Sequence, residues 1–144
     1  MKTNTFVYAM YIKTTPEKLW EALTTSEFTE KYWGPDGRKL ETDWKAGSSV
    51  RTIRPDGKTD WQGKVLECDP PKLLSFTFQT GANKEQIEEP ASTVTYLLEP
   101  QSSGTKLTVT HIDLSEIMLP KITGGWTYVL SSLKSLLETG IALG

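Results

Sequence analysis

His111 is the only histidine in the 144 residues, so any chemistry that requires an imidazole depends on this side chain. Alternate residues of a strand share a face, which groups His111 with Leu107 and Val109 on a side that we predict points inward. An inward imidazole that titrates near neutral pH could move a proton or orient a ligand carbonyl. The alternative is a structural histidine, hydrogen-bonded within the sheet, and we favour this second interpretation.

Large apolar side chains recur where they could form the walls of a cleft between strands and a helix. Such a set suits a flat, apolar ligand, with tyrosine hydroxyls as polar contacts and Trp33 closing one mouth. The same side chains could instead form an ordinary aromatic core, and the sequence leaves both interpretations open. The predicted ligand-binding residues are Tyr8, Met10, Trp33, Phe76, Phe78, Tyr96, His111, Trp126 and Leu130.

Motifs for other kinds of site do not occur in the sequence. One histidine and one cysteine cannot form a zinc cluster, and no phosphate-binding loop or dinucleotide fingerprint is present. Cys68 lies between Glu67 and Asp69, whose negative charges would disfavour a thiolate, so we predict a structural role for it. We therefore expect neither a metal nor a cofactor.

Composition limits the class of protein. The net charge of −2, without any cluster of Lys or Arg, argues against nucleic-acid binding and against a membrane tether. No window approaches about 18 uninterrupted apolar residues, and the N-terminus does not have the pattern of a signal peptide. A single cysteine cannot form an internal disulfide, so a cytoplasmic location is expected. The length suits one domain, residues 1–144, with one core.

The first part of the chain predicts a strand followed by two short helices. Residues 5–13 are rich in β-branched and aromatic side chains and predict the strand. Thr15 is expected to cap the first helix, with Pro16 in its first turn, where the missing N–H costs no hydrogen bond. Ser26 is expected to cap the second helix, which Gly34 and Pro35 stop.

From about residue 40 to residue 113, alternating apolar residues predict about six antiparallel strands. Turn sequences at residues 54–57, 69–72 and 102–105 separate several of them. Residues 81–90 predict a longer, acidic loop. Because each strand has a single apolar face, another element must cover that face.

Residues 124–140 predict a long, one-sided helix that could supply this cover. Six apolar side chains fall on one face, and Ser131, Ser132, Lys134 and Ser135 fall on the other. Gly124 and Gly125 are expected at the entrance of the helix. A curved antiparallel sheet should therefore wrap this helix, with space between the two. The six apolar residues are Trp126, Val129, Leu130, Leu133, Leu136 and Leu137.

Five segments in this order resemble the SRPBCC (START-like, helix-grip) superfamily, and more narrowly its bacterial branch named for similarity to the activator of the heat-shock-protein-90 ATPase. The segments are YIKTTPEKLWEALT, GKVLECDPPKLLSFTF, STVTYLLEP, TKLTVTHIDL and GGWTYVLSSLKSLLETG. The resemblance implies an α+β helix-grip fold of order β-α-α-β(6)-α.

The resemblance implies several functions. Superfamily members bind lipids, sterols, flavonoids or polyketide intermediates between sheet and helix, and some act as cyclases. Our first hypothesis is therefore a binding protein for a small hydrophobic molecule. The second is a cyclase- or aromatase-like enzyme in which His111 is catalytic, and the third is a chaperone-associated, stress-response interaction module. Homodimerisation is compatible with all three, and we favour a binding protein over an enzyme.

Overall fold

The structure is a computed structural model that describes residues 4–81 and 88–143, so most of the predicted acidic loop, residues 82–87, lies outside the described residues. Over these residues, seven strands and three helices follow one another in the order β-α-α-β(6)-α. The strands are β1 (Asn4–Ile12), β2 (Lys39–Thr42), β3 (Ser49–Ile53), β4 (Thr59–Asp69), β5 (Leu73–Phe78), β6 (Ser92–Gln101) and β7 (Gly104–Leu114). The helices are α1 (Pro16–Thr24), α2 (Ser26–Tyr32) and α3 (Met118–Thr139).

All seven strands pair antiparallel in one curved sheet of order β1-β7-β6-β5-β4-β3-β2. In its register Val109 of β7 lies opposite Tyr8 on one side and Tyr96 on the other. The inward-facing apolar residues of the central strands pack with α3 in one core cluster. The predicted α+β helix-grip fold and its element order are confirmed.

The predicted turns form where the sequence indicates. The N–H of Gly57 donates to the carbonyl of Arg54 at 2.9 Å, and the N–H of Lys72 donates to the carbonyl of Asp69 at 2.8 Å. A third reversal joins β6 to β7 at residues 102 and 103.

One of the two short-helix caps is as predicted and the other is not. Thr15 Oγ1 accepts a hydrogen bond from the N–H of Lys18 at 3.2 Å, as expected of a cap. Ser26, however, is the first residue of α2, preceded by Thr25. Its hydroxyl accepts from the N–H of Leu40 at 2.9 Å and donates to the carbonyl of Leu40 at 3.2 Å. The prediction for Ser26 is wrong because the hydroxyl joins α2 to the neighbouring β2.

The long helix α3 begins at Met118, six residues before the predicted start. Ser115 Oγ accepts the N–H of Met118 at 3.1 Å, and Pro120 lies in the first turn, where its missing N–H is not needed. Gly124 and Gly125 are therefore inside the helix and not at its entrance. The sequence predicted the start of the helix at these two residues because glycine has a low helix propensity.

The buried face of α3 is mostly the predicted one, and it includes Trp126, Leu130 and Leu133. Ser132 was expected on the polar face but is fully buried. The chain after the helix folds back over it, and the N–H of Leu143 donates to Ser132 Oγ at 3.0 Å.

The C-terminal half of α3 is bonded to β1 and the residue after it, at one of the two edges of the sheet. Glu138 Oε2 accepts a hydrogen bond from the N–H of Lys13 at 2.8 Å and another from Lys134 Nζ at 2.8 Å. Lys134 also donates to the carbonyl of Tyr11. We call the two side chains Lys134 and Glu138 the edge clamp.

Within the described ranges, none of the helices is long and apolar enough to cross a lipid bilayer.

Candidate ligand-binding site

A cluster of aromatic rings lies between the sheet and α3. Trp61 of β4 is central to them, with ring centroids 4.9 Å from Phe78 and 5.2 Å from Phe76. The ring of Trp126 on α3 lies 5.6 Å from that of Trp33. Such separations are typical of aromatic pairs in contact. Aromatic rings therefore occupy the centre of the space predicted between the sheet and the helix.

Trp61 is a site residue that sequence reasoning missed. It is 3% exposed and shares an inward face of β4 with Val65, which is also buried. The alternation of Trp61, Gly63 and Val65 was a signal that could have identified it, but the glycine interrupts the apolar pattern.

His111 lies in the middle of this core with no exposed surface. The indole Nε1–H of Trp126 donates to its Nδ1 at 3.0 Å, and its Nε2 lies 2.6 Å from Ser92 Oγ. Since Nδ1 accepts a hydrogen bond, the proton of the neutral ring is on Nε2, which donates to Ser92. Ser92 in turn donates to the carbonyl of Phe78 at 3.0 Å. The result is a continuous chain of hydrogen bonds from α3 through β7 and β6 to β5.

Burial lowers the pKa of His111 to about 4, because the imidazolium would lose its hydration. Both ring nitrogens are already bonded to protein groups, so a ligand could reach neither without breaking the chain. This geometry fits the structural interpretation of His111, since a general base needs a free or releasable nitrogen at the reacting group.

A cavity of about 250 Å³ opens beside the aromatic core, where α3 meets β4 and the end of α2. Most of its wall is apolar, and Asp60 and Lys121 are charged residues in its lining. We call it the tryptophan cavity. It is lined by Trp33, Asp60, Trp61, Phe78, Thr80, Lys121, Ile122, Gly125, Trp126 and Val129.

A second cavity, of about 200 Å³, lies between the start of β6, the end of β7 and the first turn of α3. Its lining includes Phe78, Ser92, Leu114 and Met118, together with the carboxylates of Glu89 and Asp113. Ser115, also in this lining, donates its hydroxyl hydrogen to Glu89. Phe78 and Thr80 line both cavities.

The structure brings only some of the predicted ligand-binding residues to a cavity. Trp33, Phe78 and Trp126 line the tryptophan cavity. Four others are buried in the core and line neither of the two cavities described above, so their packing is that of an aromatic core. These four are Phe76, Tyr96, His111 and Leu130.

Tyr8 and Met10 are also away from both cavities. They share the face of β1 that lies beside Val109 and Leu107 of β7, as predicted, but Tyr8 is 40% exposed. Its ring stacks on Phe6, with centroids 6.4 Å apart. Tyr8 therefore lies on the predicted face of β1, which is an edge strand of the sheet, but it does not line either of the two cavities described above.

Other potentially reactive groups do not assemble into a site. Over residues 4–81 and 88–143, no three His, Cys, Asp or Glu side chains are placed to hold a metal ion. Partial burial, and then the nearby charge of Asp69, raise the pKa of the Cys68 thiol. Cys68 is thereby kept as the less nucleophilic thiol, which agrees with the structural role predicted for it.

The sequence and the fold were compared with those of known proteins. No curated protein matches the sequence. Among solved structures, a protein from Mesorhizobium loti shares 28% identity, with a TM-score of 0.76 over 93% of this chain and 96% of that chain. The Aha1 dimer from Colwellia psychrerythraea shares 24% identity, with a TM-score of 0.74 over 95% of this chain and 98% of that chain. CalU16 from Micromonospora echinospora has the same fold at 19% identity, with a TM-score of 0.73 over 95% of this chain and 77% of that chain.

A family model matches residues 13–138, from the residue after β1 to the last turn of α3. The resemblance inferred from the five sequence segments is confirmed. The chain belongs to the family described as activator of Hsp90 ATPase homolog 1-like proteins, within the SRPBCC superfamily.

Proposed function

We propose that the protein binds a small, largely apolar aromatic molecule in the tryptophan cavity. The observation that carries this proposal is the composition of the cavity wall, in which Trp33, Trp61 and Trp126 converge with Phe78. Three indole rings around one opening provide large, rigid faces on which a flat ligand can stack. Membership of the family supports a capacity for ligand binding without naming the ligand.

The size of the cavity narrows the class of ligand. Sites for drug-sized molecules usually measure about 300–1,000 Å³, and the tryptophan cavity measures about 250 Å³. One ring or two fused rings fit this volume, whereas a sterol or a long acyl chain would require α3 to move. We therefore place bicyclic aromatics ahead of lipids as candidate ligands.

Binding is favoured over catalysis because His111, the residue that would act in a cyclase, is held on both nitrogens and does not line the tryptophan cavity. The described lining of that cavity contains no histidine or cysteine.

The direct test is a thermal-shift and tryptophan-fluorescence screen of bicyclic aromatic compounds. A ligand present at about 100 times its dissociation constant should stabilise the folded state by about 2.7 kcal/mol. Stacking against Trp33, Trp61 or Trp126 should also quench their fluorescence.

The chain offers a matched pair of variants for this screen. Gly125 lines the cavity and Gly124 does not, yet a Cβ at either position meets nothing within 4 Å. Gly125→Leu should therefore fill the mouth and abolish the response, and Gly124→Leu should retain it. Equal responses from the two variants would show that the ligand binds elsewhere. If no compound of the panel changes the melting temperature or the fluorescence of the wild type, the proposal is refuted.

The description of the family supports a second candidate, stimulation of the ATPase of the heat-shock chaperone Hsp90. Steady-state ATPase measurements with and without the protein test it, and an unchanged rate at saturating concentrations would refute it. The related Colwellia protein is a dimer, which supports a homodimer here as well. Sedimentation equilibrium would distinguish the dimer from a monomer.

A further inference from the structure

The sheet has two edge strands, β1 and β2, and α2 closes the edge at β2. The strand β2 is only four residues long, Lys39–Thr42. The hydroxyl of Ser26 on α2 accepts from the N–H of Leu40 at 2.9 Å and donates to its carbonyl at 3.2 Å. Both polar groups that Leu40 turns away from the sheet are thereby bonded, so this edge is not a template for a further strand.

The edge at β1 is closed at one end only. There the edge clamp bonds the carbonyl of Tyr11 and the N–H of Lys13, two backbone groups that point away from β7. In an antiparallel strand every second residue turns both its N–H and its C=O to the same side. Val7 and Ala9 therefore turn these groups to the open edge, where no group of the described residues bonds them.

The side chains of β1 do not protect this open edge. Soluble proteins usually protect an edge strand with a charged side chain, a proline or a very short length. The strand β1 is nine residues long and, from Asn4 to Ile12, contains neither a charged residue nor a proline. It instead exposes apolar surface, with Val7 60%, Tyr8 40% and Tyr11 61% exposed. Such an edge is a surface on which another strand can pair.

A second copy of β1 fits this edge because the strand can pair with itself about its middle residue, Tyr8. With Tyr8 on a two-fold axis, two antiparallel strands overlap along their whole length. Val7 and Ala9 of each copy then exchange backbone hydrogen bonds with Ala9 and Val7 of the other. On the inner face Tyr8 lies opposite Tyr8, and Phe6, on which its ring stacks, lies opposite Met10. The pairing buries the apolar surface that Tyr8 exposes in the single chain, and it opposes no like charges.

We infer that two copies of the chain associate by antiparallel pairing of β1 with β1 about Tyr8, which joins their two sheets into one. This inference rests on the homodimer of the proposed function and identifies its interface. The assembly ends at two copies, because pairing uses the β1 edge of each copy and α2 closes the β2 edges that remain. A single pair of strands is a small interface, so we expect a dissociation constant in the micromolar range.

Charges introduced at residue 8 test the inference by sedimentation equilibrium. In Tyr8→Lys two ammonium groups would face each other across the axis, and in Tyr8→Glu two carboxylates would do so. Like charges directly opposite each other destabilise a strand pair, and the contact between the two tyrosine rings is also lost. The dissociation constant of each variant should therefore be at least about tenfold higher than that of the wild type. An equimolar mixture of the two variants should dimerise again, because an ammonium group then faces a carboxylate.

The matched control is Thr108→Lys. Thr108 lies directly opposite Ala9 on β7, on the outer face of the sheet and one strand away from the edge. A lysine there adds the same charge to the molecule without touching the β1 pair, so this variant should dimerise as the wild type does. A cooperative melting curve for each of the three variants establishes that it is folded.

A second measurement needs no variant. Hydrogen exchange of single backbone amides can be compared in the wild-type protein below and above the dissociation constant. The N–H groups of Val7 and Ala9 should become protected only at the higher concentration. Those of Tyr8 and Met10, which face β7, should be protected at both concentrations.

The outcomes separate the inference from the proposed homodimer. If the wild type and both Tyr8 variants are equally dimeric, the inference is overturned and the homodimer stands through another surface. Loss of the dimer in Thr108→Lys would also overturn it, since the outer face of the sheet would then be the interface. A mixture of Tyr8→Lys and Tyr8→Glu that stays monomeric would refute the register, and so would fast exchange of Val7 and Ala9 in the dimer. If the wild type is monomeric even at millimolar concentration, the homodimer falls together with the inference.

Discussion

The buried, neutral state of His111 makes the stability of the fold sensitive to mild acid. Burial lowers the pKa of this imidazole from 6.5 to about 4. Between these values the unfolded chain binds a proton that the folded chain does not, so the free energy of unfolding decreases as the pH is lowered. The contribution is fully present above pH 6.5 and is lost as the pH falls towards 4. At 1.36 kcal/mol per pH unit, a gap of roughly 2.5 pH units corresponds to about 3 kcal/mol.

The hydrogen bonds explain why protonation is resisted. A second proton would have to be placed on Nδ1, which accepts the indole N–H of Trp126 at 3.0 Å. Two donors would then face each other in the buried core, and the link between α3 and β7 would break. The effect of acid should therefore be cooperative loss of the packing of α3 on the sheet.

The assay is urea unfolding of the wild type and of His111→Asn at pH 7, 6, 5 and 4. Asparagine keeps an acceptor for Trp126 but does not titrate, and the carboxylates are common to both proteins. The difference in unfolding free energy between them should shrink by about 3 kcal/mol from pH 7 to pH 4. Parallel pH profiles for the two proteins would refute the reasoning. If the variant does not fold, an NMR titration of the wild-type imidazole with a midpoint above pH 6 would refute it as directly.

Three further substitutions test the packing. Trp126→Phe leaves Nδ1 of His111 buried without its donor. The free energy of unfolding measured in urea should therefore fall by about 1–3 kcal/mol. The pKa of His111 should also rise, because Nδ1 is then free to take a proton. A pKa unchanged by NMR would contradict this. Gly124→Ala should raise the melting temperature, because its Cβ meets open space and alanine is favoured over glycine inside a helix by about 1 kcal/mol. Gly63→Ala should lower the melting temperature and reduce the free energy of unfolding by at least about 1–3 kcal/mol, because the new Cβ would lie 1.9 Å from the carbonyl oxygen of Thr77. Similar melting temperatures for these two alanine variants would contradict the distinction.

The sequence predicts the fold well where local patterns control it. Two-residue alternation identifies the strands, and turn sequences such as residues 54–57 separate them. The 3.6-residue period identifies the buried face of α3. The start of α3 escapes prediction because Gly124 and Gly125 look like a boundary, whereas Ser115 and packing against the sheet extend the helix past them. Ser132 escapes because its partner, Leu143, lies in the returning chain after the helix.

The candidate site is less predictable, because its chemistry depends on contacts between distant elements. Strand alternation places His111 inside, but its partners Ser92 and Trp126 come from β6 and α3, and only the register of the sheet brings them together. Single-sequence reasoning also cannot show how much of the interior the rings occupy. For that reason Tyr96 and Phe76 were predicted as walls of a cleft, and the structure places them in solid core.

The edge clamp determines which end of α3 can move. Lys134 and Glu138 attach the last turns of the helix to the edge strand β1, while Gly124 and Gly125 weaken the helix near the tryptophan cavity. Local unwinding of the first turns therefore costs less than lifting the whole helix from the sheet. We expect a molecule slightly too large for the cavity to be admitted by this unwinding at one end of the helix.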